Sequence, residues 1–251
     1  MKILLRKIFV PGRIPRNIKI DYDKTGKIRP AWIHVKGLSP KTEYLDLRFN
    51  DWDLQRYRVW MSPKVPMFLP TNYTYEELRK FYNRFSQFYD KFVRENNTPA
   101  AKFLISKLKL SKGAKILDLA AGTGLVSEQL VSKGYRNITL LDYSPKMLAL
   151  AKKKKSLKGC KFIRQDIRKL NLKEKFDLII SVFAFAYSAY YKPEEMPRLW
   201  KLVWKHLKPG GILMLFAHDY EPPSKLFKKV EGKTFLFISK YEVPYYIGVK
   251  K

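Results

Sequence analysis

The sequence predicts an α/β protein, a doubly wound and mostly parallel sheet behind a small β-rich extension, and three observations carry that expectation. From Thr98 onward, short apolar strands alternate with helically spaced segments, the order that builds a parallel sheet with helices on both faces. Two of those strands meet aspartates: Asp118 lies within Ile116–Leu119, and Asp142 closes Ile138–Leu141. Residues 1–70 lack the alternation and show period-two runs instead.

In the extension, Ile18, Ile20 and Tyr22 alternate, Asp23-Lys24-Thr25-Gly26 makes a turn, and Ile28–Val35 returns as the second arm of a hairpin. Pro30 makes the start of that return an edge strand. A third alternating run, Tyr44–Phe49, extends this small sheet. Asp51–Trp60 is dense in aromatics and arginines, and Pro63, Pro66 and Pro70 punctuate a linker to the main domain, residues 71–251.

A helical stripe starts at Tyr75 with Leu78, Phe81, Tyr82, Phe85, Phe88, Tyr89 and Phe92; most of these read as core. Thr98-Pro99 reads as the cap and first turn of a separate helix through Leu110. Ile116–Leu119 then runs into Ala120-Ala121-Gly122-Thr123-Gly124, a small-residue turn opening a helix with Leu125, Val126, Leu130 and Val131 on one face. Glycine there takes dihedrals closed to other residues and lets a ligand lie against backbone. The second acid, Asp142, follows about 20 residues after the turn, where a ribose diol would be met.

Two nucleotide readings are separated by the first acid. A pyrophosphate turn wants G-x-G-x-x-G and a bare helix N-terminus. Here the turn reads Ala120-x-Gly122-x-Gly124, Ser127 fills the third glycine's place, and Asp118 stands upstream. A carboxylate repels phosphates but suits a nucleoside with a cationic amino-acid end, which points to S-adenosylmethionine.

On these residues the chain resembles the class I S-adenosylmethionine-dependent methyltransferases. Asp142-Tyr143-Ser144-Pro145-Lys146-Met147-Leu148 is similar to the segment after that family's second strand, and Arg164-Gln165-Asp166-Ile167 to the pair after its third. Phe176–Ser181 matches the fourth strand and Leu207–Leu213 the turn into the fifth. Phe81–Asp90 resembles the helix that closes over the cofactor in the quinone and small-molecule type, with Asn83 where that pattern has an acid. The resemblance implies seven strands with an antiparallel last one, met by Thr234–Ile238 and Tyr245–Val249 joined through Pro244. It also implies cofactor contacts at Tyr89, Asp118, Ala120, Gly122, Gly124, Asp142, Tyr143, Met147, Asp166, Ile167 and Ser181. Asp118 and the glycine backbone would hold the methionine end, Asp142 the ribose, and Asp166 with Ile167 the adenine. No metal is implied.

The sulfonium methyl is already activated, so positioning supplies most of the acceleration, and a base is needed only where the nucleophile must lose a proton. His218, after the strand Leu213–Ala217, stands at the carboxyl edge where ligands sit in such sheets, and with Asp219 forms the candidate acid/base pair. His206 reads as a surface cation at a helix end. The N/D-P-P-Y/F motif of amino-methylating nucleic-acid enzymes is absent from Ser181–Tyr187. Cys160, the single cysteine, reads as a small buried residue before the third strand, too remote for a nucleophile.

The leading expectation is a small-molecule or lipid-like methyl acceptor, suggested by the aromatic run Phe183–Tyr191. Net charge is +29, with 15 Lys and Arg against 6 Asp and Glu in residues 1–70 alone. That excess keeps RNA open as an alternative acceptor, with Trp52–Trp60 stacking on bases, and leaves an anionic membrane surface open as a partner. A cofactor-fold binding protein without turnover is the non-enzymatic alternative. The run Lys152–Lys155 reads as a solvated helix end. One cysteine and a first apolar stretch broken by Arg6-Lys7 predict a cytoplasmic protein.

Overall fold

Alternating burial along the strands follows directly from the sequence: Ile116, Leu178 and Ile180 pack into one apolar cluster, while Leu117, Leu119 and Ile179 pack into another. A sheet with two apolar faces must be covered twice, and it is. The computed structural model describes residues 32–36, 44–48, 57–61, 66–70, 75–185, 191, 193–218, 220–236 and 242–251. The chain divides into two compact units, Met1–Phe92 and Val93–Lys251.

In the first unit, strand β1 (Trp32–Lys36) pairs antiparallel with β2 (Tyr44–Arg48), Trp32 opposite Arg48. The expected return strand and third run therefore form one ladder, beginning after Pro30. The other hairpin arm, Ile18–Tyr22, lies outside the described residues, as do residues 52–56 of the aromatic and arginine stretch. Strand β3 (Tyr57–Met61) pairs with β4 (Pro66–Pro70), Tyr57 opposite Pro70 and Met61 opposite Pro66. This corrects the expected linker: both prolines stand at strand ends, where a missing N–H costs little of the ladder.

Helix α1 (Tyr75–Ser106) runs through Pro99 without interruption, against the expected helix start at Thr98-Pro99. Proline forfeits one helical bond and normally breaks a helix. Here Val93, Asn97, Ala100, Ala101, Leu104 and Ile105 form one buried stripe, and that packing holds the helix through the defect.

The second unit's strands are β5 (Ile116–Leu119), β6 (Ile138–Asp142), β7 (Lys161–Arg164), β8 (Phe176–Phe185), β9 (Leu207–His218), β10 (Phe227–Glu231), β11 (Thr234–Leu236) and β12 (Glu242–Lys250). Seven run in the order β10-β12-β9-β8-β5-β6-β7, and β11 adds a short antiparallel rung to β12. The five from β9 to β7 are parallel; β12 is antiparallel to β9. Pro244 lies within β12 rather than in a connection, opposite Thr234. Helices α2 (Leu125–Ser132) and α3 (Pro145–Lys153) pack on the face of Ile116, together with Ala100–Ile105 of α1; α4 (Met196–His206) packs on the face of Leu117. Among the described residues no helix is long and apolar enough to cross a membrane.

His206 corrects the expectation of a surface cation. It is buried, its Nε2 accepts from the Leu172 N–H at 2.9 Å, and its Nδ1 lies 2.7 Å from the Leu202 carbonyl, so the bonding pattern requires the neutral Nδ1–H tautomer. Lys154 likewise departs from the solvated run, binding Glu128 of α2 at 3.0 Å. Cys160 is half-buried, immediately before β7.

Candidate functional site

The strand order turns at β5: the chain moves outward to β6 and β7, then returns to β8 on the other side. Parallel sheets open a crevice at the carboxyl edge of such a switch point. β5 and β8 stay paired only as far as Asp118 opposite Ile180, and the next carbonyl, of Leu119, is taken by the Ser181 hydroxyl at 2.8 Å. Ser181 is buried and stitches the two strands where their ladder ends.

Beyond β5 the backbone is left-handed at Ala120, Gly122 and Gly124, with φ of 59°, 55° and 81°. Gly124 is required twice over. Besides its dihedral, a Cβ there would stand 2.5 Å from Leu157 Cδ1 and 2.9 Å from Leu140 Cδ2. Phe183 and Ala217, near the carboxyl ends of β8 and β9, are also left-handed (62° and 60°). Such residues cluster at functional sites because only a rigid surround sustains the strain.

Both expected acids of the turn are present at this edge. Asp142 uses one oxygen for the Gly122 N–H (2.8 Å) and the other for the Ser144 N–H (2.7 Å), joining the glycine turn to the start of α3. Ser144 caps that helix through the Met147 N–H. Burial pushes the Asp142 carboxyl up to about 6 despite these donors, while the residue as a whole is half-buried. Asp118 is 1 % exposed, and one of its oxygens accepts the Ser127 hydroxyl at 2.6 Å and the Ser127 N–H at 3.1 Å. Burial lifts its carboxyl to about 7, opposed by Ser127 and reinforced by the Asp142 charge. Ser127, in the third glycine's place, is the partner that sequence reasoning missed; a hydroxyl one helical turn into α2 was the available signal.

The remaining expected residues divide. Asp166 caps a short turn through the Arg168 N–H (2.9 Å) and pairs with the Arg168 guanidinium, a second partner the sequence reading missed. Ile167 and Met147 are buried; Tyr143 is half-buried beside Asp142. Tyr89 sits in the first unit, its ring edge-on to Tyr82 at 6.4 Å. His218 closes β9, opposite Phe185, with its ring edge-on to Tyr246 at 6.2 Å. Asp219 and residues 186–190 of the aromatic run lie outside the described residues. Phe185 itself turns into the core, stacked on Trp200 at 4.8 Å and on Tyr191 at 5.6 Å.

The donor set decides what the turn can hold. A pyrophosphate would need the Gly122 N–H, and Asp142 already takes it. Two carboxylates and a left-handed backbone favour a ligand with hydroxyl and ammonium donors. Residues 116–211 match the family described as a methyltransferase domain. Over that segment the chain is similar to methyltransferase domains. The chain is 32 % identical over 149 residues to the malonyl-[acyl-carrier protein] O-methyltransferase of Bacillus cereus, covering 57 % of this chain and 53 % of that one. It is 28 % identical over 173 residues to the demethylmenaquinone methyltransferase of Staphylococcus epidermidis, covering 65 % and 68 %. In fold it is similar to the N-methyltransferase NodS of Bradyrhizobium japonicum, solved with S-adenosyl-L-homocysteine, at a TM-score of 0.51 and 18 % identity over 62 % of this chain and 86 % of that one. The chain spans about half the length of the first curated relatives it matches.

Proposed function

We propose that the protein transfers a methyl group from S-adenosylmethionine to a small-molecule or lipid-like acceptor. The observation that carries the cofactor half is the Asp142 carboxylate, anchored by two backbone donors beside a left-handed glycine turn, on a residue that is only half-buried. S-adenosylmethionine supplies the electrophilic methyl. Asp142 accepts from the ribose hydroxyls; Asp118, with Ala120, Gly122 and Gly124, holds the amino-acid end; Asp166 and Ile167 meet the adenine, with Tyr143, Met147 and Ser181 completing the wall. His218, with Asp219, is the group that would take a proton from the acceptor.

The acceptor class rests on two supports: curated relatives are named for malonyl-[acyl-carrier protein] and for demethylmenaquinone, and the Phe183 and Phe216 rings meet near the end of β8. The test is thermal unfolding with S-adenosylhomocysteine and with NAD, followed by transfer from labelled cofactor to extracted lipid, small-molecule and RNA fractions. Sulfur nucleoside at about a hundred times its dissociation constant adds roughly 2.7 kcal/mol of stability, and NAD adds nothing. No shift with the sulfur nucleoside, or label entering only RNA, overturns the cofactor or the acceptor reading respectively.

A further inference from the structure

The edge of the sheet opposite the cofactor site gathers cations strand by strand. Parallel strands β5 to β9 all begin there, β10 begins there, and β12 ends there. Exposed Lys205, Lys175 and Lys112 lead into β9, β8 and β5. Arg136 and Lys158 lead into β6 and β7, Lys225 leads into β10, and Lys251 follows β12, all exposed. Every one of the seven strands therefore carries a positive charge at its foot. With neighbouring strands about 4.8 Å apart, the row is roughly 30 Å long.

The short segments at these strand feet hold two acids, Glu174 and Asp177, and both are occupied. Glu174 binds Lys115 (3.1 Å) and Lys161 (2.6 Å), and Asp177 binds Lys208 at 2.8 Å. They organise further lysines along the row without neutralising it. Crowding is felt in the Lys250 ammonium, held below its usual range by burial and then by the charge of Lys175. Lys205, in the last turn of α4, and Arg136, bonded to the Val131 carbonyl of α2, stand where helix ends favour cations, but Lys112, Lys175, Lys225 and Lys251 follow no helix end.

We propose that this edge docks the phosphate backbone of a nucleic acid, without regard to base sequence. A row of charges matches a one-dimensional array of phosphates. An anionic membrane attracts the same charges, but stable anchoring there takes an apolar insertion as well, and among the described residues the one large apolar side chain that is mostly exposed is Val230, within β10. The rings on this edge are already faced by lysines: Lys250 lies 3.9 Å from the Trp204 centroid and Lys112 4.3 Å from that of Tyr135. They offer no open platform for base stacking, so backbone charge alone drives the contact. Docking here leaves the carboxyl edge, with Asp118 and Asp142, facing away, so the bound polymer tethers the enzyme and is not its acceptor. The inference does not depend on which acceptor is methylated.

The experiment is fluorescence anisotropy of a labelled oligouridine, long enough to span the row, titrated with the full chain across a range of salt. Wild type binds at low salt and weakens as salt rises. The triple variant K175E/K205E/K225E loses at least about tenfold in affinity, with a salt slope shallower by about two, at roughly 0.7 per phosphate contact. A control triple, K169E/R198E/K233E, changes net charge equally at exposed positions away from the strand feet and loses less than about threefold. S-adenosylhomocysteine binding by the first triple stays at the wild-type value, which separates this surface from the cofactor site. Should the reversals fail to fold, K175A/K205A/K225A is expected to show a smaller loss in the same direction. No binding by wild type, equal losses in the two triples, or displacement of the oligonucleotide by phosphatidylglycerol vesicles at equal charge overturns the proposal.

Discussion

Asp118 is an acid whose surroundings oppose its charge. Ser127 donates twice to one oxygen, yet burial lifts the carboxyl to about 7. A folded value above the unfolded one means that ionisation destabilises the fold: the cost is absent below about pH 4 and complete above about pH 7. Asp118→Asn is therefore expected to raise unfolding free energy by about 1–3 kcal/mol at pH 8 and by nothing near pH 3.5, read by denaturant titration at both pH values. The same substitution weakens S-adenosylhomocysteine binding if Asp118 meets the ammonium end. At the other strand end, His218→Ala is expected to slow methyl transfer by about 10²–10⁴-fold, with cofactor affinity held within a few-fold. Unchanged turnover would mean that positioning alone carries the reaction.

At the scale of elements, the switch point is kept by two small side chains. Ser181 closes the gap where β5 and β8 stop pairing, and its removal strands a buried carbonyl. Ser181→Ala is expected to cost about 1–3 kcal/mol, measurable as a lower denaturant midpoint with unchanged slope. Gly124 lets the turn approach α3 and the segment after it. Gly124→Ala adds left-handed strain and a clash with Leu157 and Leu140, for a loss of about 2–4 kcal/mol. A midpoint within experimental error of wild type would mean that the turn relaxes freely. Tyr246 illustrates the same economy: its ring lies across Gly248, where a Cβ would come within 2.5 Å, and its edge meets His218.

At the largest scale described, Asp118 and Asp142 stand at the carboxyl edge of the main sheet and a row of exposed cations stands at its strand feet. Because Asp118 and Asp142 are both lifted, to about 7 and about 6, these two groups make the ligand-free protein less stable as pH rises from about 4 to about 7. Binding of a ligand with ammonium and hydroxyl donors runs the other way, since it favours the ionised forms. S-adenosylhomocysteine affinity is thus expected to rise severalfold between pH 5.5 and pH 7.5, followed by calorimetry, about tenfold per fully linked proton and pH unit. A flat profile would separate both acids from the ligand.

The parallel-sheet fold and the glycine turn were legible because both are local. Period-two burial, the glycine turn, the Ser144 cap and the spacing of Asp118 from Asp142 are properties of neighbours in the chain, and they fixed strand, turn and helix before any packing was known. Residues whose role depends on a partner remote in sequence were not legible. His206 looked like a helix-end cation until Leu172, from another connection, supplied its donor. Pro99 looked like a helix start until a buried stripe carried the helix through it, and Pro66 and Pro70 looked like a linker until β3 lay alongside. The sequence by itself determined the alternation of strands and helices from Ile116 to Leu213 and the residue types at the glycine turn, since propensity and periodicity act over a few residues. Only the tertiary structure decided that Ser127 clasps Asp118, that Ser181 stitches β8 to β5, and that scattered lysines fall into one row. Those depend on strand order, and strand order is set by long-range burial.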